Sequence, residues 1–170
     1  MTIYGWLQLI FYFVVLVLLV KPLGLYMAKV YQGERTFLTP VIAPIERFIY
    51  RIAGINPEEE MGWKTYATAM LLFSVIGFVF LYVLQRVQAF LPLNPAGIGP
   101  NTPDSSLNTS ISFVSNTNWQ DYSGETTMSY LTQMLGMTVQ NFVSAATGMA
   151  ILIAFIRALA RHGATGLGNF

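Results

Sequence analysis

Residues Phe113-Val114-Ser115-Asn116-Thr117-Asn118-Trp119-Gln120 bring neutral hydroxyl and amide oxygens together with a run of backbone carbonyls. Oxygens of this kind can replace the water shell of a weakly hydrated monovalent cation. A divalent cation usually recruits carboxylates, and this stretch contains none. Asp121 and Glu125 follow it, where they can concentrate cations electrostatically. Irregular backbone is tolerated at membrane depth only where it lines a cavity or is buried in protein. The stretch sits between two membrane-length apolar segments, so it is a candidate ion site. A polar outer loop with asparagine-rich turns is the plainer alternative, and the residues alone leave both readings open.

The elements around the turn decide whether it can work. Thr102-Pro103-Asp104 reads as N-cap, first helical position and an acidic first turn. The helix it opens covers about 103–114. At 1.5 Å per residue, its roughly 12 residues reach about 18 Å, little more than half of a hydrocarbon core of about 30 Å. Such a helix can enter a membrane but not cross it, and it would present its negative C-terminal end at mid-depth. Residues 115–120 then turn the chain back, and 121–125 return it to the surface.

Spanning segments flank this excursion. The first apolar run covers Ile3 to Val20 and is expected to end at Lys21-Pro22, with Tyr4, Trp6 and Tyr12 along its early half. The second covers Tyr66 to Leu84 and continues toward Phe90, where Leu91-Pro92-Leu93-Asn94-Pro95 stops it. The third runs from about Thr126 to Ile156. Its first half interleaves Thr132, Gln133, Thr138, Gln140, Asn141 and Ser144 with Leu, Met and Phe. Polar groups in a spanning helix face a partner helix or a water-filled cavity. Lining of an ion path and packing between helices are both open for Thr138, Gln140 and Asn141.

Between the first two spans, Thr39-Pro40 marks another helix start. Ile42, Ile45, Ile49 and Ile52 follow at spacings of three and four, with Glu46, Arg47 and Arg51 off that stripe and Gly54 at the end. This amphipathic helix either lies at the membrane surface or packs against the protein's own helices. Asn56-Pro57-Glu58-Glu59 reads as the start of the second spanning helix. Its acidic run, Glu58-Glu59-Glu60, suggests capping before it suggests a cation site.

Composition agrees. Hydrophobic residues make up 54% of the 170 and charged residues only 10%, which places the chain among membrane proteins. Net charge is +1, and no Lys/Arg run suggests nucleic-acid binding. There is no cysteine, and His162 is the only histidine, so thiolate and histidine metal clusters are excluded. The N-terminus does not resemble a cleavable signal. Gly163, Gly166 and Gly168 lack the strand and lysine of a phosphate loop. His162 lies far from the acidic loop, so no catalytic triad is supported. Asn108-Thr109-Ser110 matches a glycosylation acceptor that matters only in a secretory pathway.

Lys21, Lys29, Arg35, Arg47, Arg51 and Lys64 lie between the first two spans, and Arg157 and Arg161 follow the third. Arg86 alone lies toward the other side. By the positive-inside rule the N-terminus is outside, the 21–64 segment and the C-terminus are cytoplasmic, and the turn opens outward.

The turn also carries a specific resemblance. Ser112-Phe113-Val114-Ser115-Asn116-Thr117-Asn118-Trp119-Gln120, Tyr122-Ser123-Gly124-Glu125-Thr126-Thr127, and Gly136-Met137-Thr138-Val139-Gln140-Asn141-Phe142 with Ser144-Ala145-Ala146 resemble the potassium-binding A subunits of Kdp potassium-transporting ATPases. Lys21-Pro22-Leu23-Gly24 and Leu91-Pro92-Leu93-Asn94-Pro95 support it, and the match runs through essentially the whole chain. The resemblance implies an all-α integral membrane fold: three transmembrane helices plus one re-entrant pore helix and filter loop, one repeat of a potassium-channel-like pore. Residues 1–34 would be an extra N-terminal helix with a basic connector, 35–64 a cytoplasmic interfacial segment, and 65–170 the first helix–pore loop–helix repeat.

It further implies binding and selection of external K+ within an ATP-driven uptake complex of a prokaryotic cell membrane. The chain itself would be no enzyme. ATP would be used by a partner, the P-type ATPase B subunit, and a C subunit and a small F peptide would complete the assembly. Ser115, Asn116, Thr117, Asn118 and Gln120 would form the first quarter of a K+ filter. Carbonyls of Ser115 to Asn118 would face the ion, Gln120 would shape the mouth, and Trp119 would pack the filter against helices. Family members contain four repeats and this chain holds one, so it is expected to be an N-terminal fragment. A passive cation-channel subunit and a non-transporting membrane scaffold are the alternatives.

Overall fold

The computed structural model describes residues 2–57, 59–117, 119–161 and 166–169. Among these the regular structure is entirely helical. Three helices are long and apolar enough to cross a membrane: Ile3–Tyr31, Trp63–Phe90 and Thr132–Ala160, of 29, 28 and 29 residues. At 1.5 Å per residue each is roughly 42 to 44 Å long, more than a hydrocarbon core of about 30 Å requires. The chain divides into two compact units between Asn56 and Pro57.

In the first unit, helix α1 spans Ile3–Tyr31, and the Thr2 hydroxyl caps it by accepting from Gly5 N–H at 3.3 Å. The expected stop at Lys21-Pro22 is corrected, because α1 continues through Pro22. A proline removes one helical hydrogen bond. Leu23, Leu25, Met27 and Val30 continue the apolar pattern beyond it, and the helix, already formed before the proline, runs on to Tyr31. Gly33, at φ +72°, lets the chain leave α1. Helix α2 follows at Thr39–Ala53, one residue out of step with expectation: Leu38 is the cap, and the Thr39 hydroxyl accepts from Thr36 N–H at 2.8 Å. Gly54 closes α2 at φ +66°, as a C-terminal glycine does.

In the second unit, α3 spans Trp63–Val87, and a single 3-10 turn, Gln88–Phe90, extends it. The expected start at Asn56-Pro57 is corrected: the N-cap is Gly62. Longer-range bonds hold the approach away from helix. Met61 N–H donates to Gly168 O at 2.9 Å and Leu167 N–H donates to Met61 O at 3.0 Å. Glu60 pairs with Arg161 at 2.8 Å instead of capping anything. Glu58, part of the proposed acidic cap, lies outside the described residues.

Helix α4 covers Pro103–Val114, as the Thr102-Pro103-Asp104 signal predicts, with the Thr102 hydroxyl accepting from Ser105 N–H at 3.3 Å. The third segment is not one continuous helix from Thr126. A short helix α5, Gly124–Thr127, precedes extended backbone at Met128. A π-helical stretch, Thr132–Thr138, then leads into α6, Val139–Ala160. Helix α4 packs on α3 and α6, and the π stretch packs on α3. Leu81, Phe113, Met128 and Met137 form the buried apolar cluster, with Tyr122 against it. Gly136 makes the closest approach. A Cβ there would lie 2.7 Å from Leu84 Cδ2 and 2.9 Å from Leu81 Cδ1.

Candidate cation-binding turn

The turn begins where α4 runs out of helical partners. Ser115 N–H donates to Ile111 O at 2.9 Å, Asn116 N–H to Phe113 O at 3.3 Å, and Thr117 N–H to Ser112 O at 2.9 Å. Asn116 takes φ +57°, a left-handed conformation that asparagine tolerates better than most residues. The chain therefore reverses at Asn116 while α4's last carbonyls stay engaged. The Ser115 and Thr117 hydroxyls lie 2.7 Å apart. Ser112 Oγ donates to Trp119 O at 2.9 Å and ties the return limb to the helix.

Helix α6 and the outer limb hold the other sides. Ser144 Oγ donates to Asn116 Oδ1 at 3.4 Å. Gln120 Nε2 donates to the Tyr122 hydroxyl at 3.1 Å, and that hydroxyl contacts Met137 Sδ at 3.7 Å. Ser115, Asn116, Thr117 and Gln120 are exposed, and of their side-chain oxygens those of Ser115 and Thr117 are brought together. Asn118 lies outside the described residues. Trp119 is 55% exposed, and its carbonyl meets α4 through Ser112.

The three polar residues left open on the last span part company. Gln140 is buried against α3, its Oε1 3.0 Å from where a Gly77 Cβ would stand. Asn141 is exposed. Thr138 is exposed and donates its hydroxyl to Gln133 O at 2.9 Å. Packing accounts for Gln140, and a local bond accounts for Thr138.

Two further glutamines tie α3 to α4 and to the flanking loops, and sequence reading missed both. Gln88 is fully buried. Its Nε2 donates to Gly99 O and Thr127 O, both at 2.8 Å, and its Oε1 accepts from Ser129 N–H and the Thr132 hydroxyl, both at 3.0 Å. Gln85, also fully buried, donates to Leu81 O at 3.0 Å and Ser110 Oγ at 3.1 Å and accepts from Asn101 Nδ2 at 3.2 Å. Arg86 donates to the Asn101 carbonyl. Asn94 closes the intervening loop, donating to Ile98 O at 2.8 Å and accepting from Ile98 N–H at 2.9 Å. The available signal was a pair of amides at the end of an otherwise apolar helix, since such groups are costly there unless they are bonded. Ser106 Oγ and Thr109 Oγ1, on the inner face of α4, are buried without a partner among the described residues.

The outer carboxylates are not a metal cluster: among the described residues no group of three or more metal-ligating side chains occurs. Asp121 accepts from Ser105 Oγ at 3.4 Å. Glu125 is held below the ordinary glutamate range by its own backbone N–H and then by the Ser123 hydroxyl, which donates at 2.8 Å.

A short capped helix thus ends in a carbonyl-rich reversal and packs against two membrane-length helices. The family profile described as potassium-transporting ATPase A subunit, KdpA, matches residues 10–170. The chain belongs to the KdpA family. Among KdpA relatives, the potassium-transporting ATPase potassium-binding subunit of Brucella anthropi is 58% identical over 170 residues, which is all of this chain and 30% of that protein. The subunit of Rhizobium rhizogenes is 59% identical over the same length and shares. That of Ralstonia pickettii is 59% identical over 164 residues, covering 96% of this chain and 28% of its own. The chain therefore spans about 30% of the length of these curated KdpA relatives. Its multi-pass helical architecture agrees with membership of a membrane transporter family.

Proposed function

We propose that this chain supplies one quarter of a K+-selective entry, with α4 as a re-entrant pore helix and 115–120 as its filter. The observation that carries this is the reversal at Asn116, held by α4 on one side and by Ser144 of α6 on the other. In this reading the carbonyls of Ser115, Asn116, Thr117 and Asn118 replace water around K+, and Gln120 shapes the mouth. Neutral oxygens and the negative end of α4 favour a monovalent cation without trapping it. The relatives' names, which describe a potassium-binding subunit of a potassium-transporting ATPase, support K+ as the transported ion.

The wider setting follows from the same reading. The turn opens to the cell exterior, and the basic 21–64 segment and Arg157 and Arg161 face the cytoplasm. Uptake is driven by ATP hydrolysed on a P-type ATPase B subunit, with C and F subunits alongside, and this chain hydrolyses nothing. Residues 1–34, 35–64 and 65–170 then serve as an added helix, an interfacial connector and one pore repeat in a prokaryotic inner membrane.

Gln120→Arg tests the site. In the complete transporter, a fixed cation at the mouth repels K+, so the K+ concentration giving half-maximal uptake should rise at normal protein levels. An unchanged value would remove Gln120 from the entry.

A further inference from the structure

We propose that α2 is an in-plane membrane anchor: its apolar face lies at the boundary between acyl chains and headgroups, and Arg47 and Arg51 meet anionic lipid phosphates. The face is long and open. Val41, Ile45, Phe48, Ile49 and Ile52 are 65%, 57%, 62%, 53% and 71% exposed, and no residue of α2 is buried. An amphipathic helix with a basic polar face takes this position at a lipid surface.

Two observations select lipid as the occupant. The first is the tether. Helix α1 is long enough to span a membrane and ends at Tyr31, and α2 begins at Thr39. The link is folded tightly. Glu34 N–H donates to Lys29 O at 2.9 Å, Thr36 N–H donates to Thr39 Oγ1 at 2.8 Å, and the Tyr26 and Phe37 rings lie 5.5 Å apart. The helix is therefore tethered closely to the C-terminal end of a membrane-length helix. The second is the charge on the opposite face. Its one carboxylate, Glu46, accepts from the Tyr50 hydroxyl at 2.7 Å. Arg47 Nε donates to Ala43 O at 3.2 Å. Among the described residues neither Arg47 nor Arg51 forms an ion pair, so both guanidiniums are available to phosphate, which they match in geometry.

The chain contains no cysteine, and once any cysteine elsewhere in the complete gene product is replaced by serine, a single introduced thiol reports one position. The complete gene product, carrying a spin label at I45C, F48C, I49C, I52C, R47C or R51C, is reconstituted in mixed phosphatidylethanolamine and phosphatidylglycerol vesicles. Labels replacing Ile45, Phe48, Ile49 and Ile52 should collide more with dissolved oxygen than with a water-soluble nickel chelate. Labels replacing Arg47 and Arg51 should show the opposite order. Apolar-face labels shielded from both reagents would put protein on this face and overturn the proposal, and a nickel-dominated response would put it in water. In a second measurement, removing phosphatidylglycerol should shift the I52C label toward the aqueous reagent in the parent. It should have no such effect in an Arg47→Glu, Arg51→Glu background. An equal shift in both would remove the phosphate contact.

Discussion

Gln88 shows how much a single side chain can organise when its amide is saturated. Its four bonds reach Gly99, Thr127, Ser129 and Thr132, which brings both limbs of the outer loop to the end of α3. A hydrogen bond inside a membrane protein is worth about 0.6 kcal/mol on average, so Gln88→Leu should cost roughly 2 kcal/mol. Reversible unfolding in detergent measures this, and a loss under about 0.5 kcal/mol would mean that the partners re-pair elsewhere. Glu125 makes a pH prediction. Folding depresses its pKa, so its stabilising contribution is present above the ordinary glutamate value and is lost as pH falls through the folded one. Ser123→Ala should move the midpoint back upward in a carbon-13 titration, and an unmoved midpoint would leave the backbone N–H as sole cause. The candidate turn stood out in the sequence because runs of neutral oxygens are uncommon between apolar spans. Gln85 and Gln88 were not, since nothing local reveals that four distant groups will converge on one amide.

At the scale of elements, local chemistry was a good guide wherever no distant segment competed with it. Thr102-Pro103-Asp104 starts α4 and Gly54 ends α2, both as their capping chemistry requires. Asn56-Pro57 carries equally good signals and starts nothing, because the bonds from Met61 to Leu167 and Gly168 outweigh a cap worth about 1 kcal/mol. Pro22 misled in the other direction: it removes one helical bond, yet α1 continues on both sides of it to Tyr31. The crossing of α3 with the π stretch depends on Gly136. Gly136→Ala would press a methyl against Leu81 and Leu84 and should cost about 1–3 kcal/mol. Leu84→Ala in the same chain should recover part of that loss. A thermal scan of the two variants checks it, and equal stabilities would mean that Leu84 simply rotates aside.

Over the whole of the second unit the usual arrangement of a soluble protein is inverted. Fully buried side chains include Gln85, Gln88, Ser106, Thr109, Ser110 and Thr132, whereas most large apolar side chains face outward. Lipid is as apolar as leucine, so specificity between helices comes from close packing and hydrogen bonds instead of hydrophobic drive. The π stretch gives this interior its alignment. Thr132, Gly136, Gln140 and Ser144 are all buried, although in a plain α-helix every fourth residue drifts about 40° around the axis. The wider π turns rotate the other way and cancel that drift, as a vernier does between two scales. Deleting exposed Phe142 of α6 would turn Ser144 by about 100° relative to Gly136, while leaving every turn of helix intact. Such a chain would insert normally yet read its own turn out of phase. A short cross-linker between N116C and S144C should join the parent and fail in the deletion.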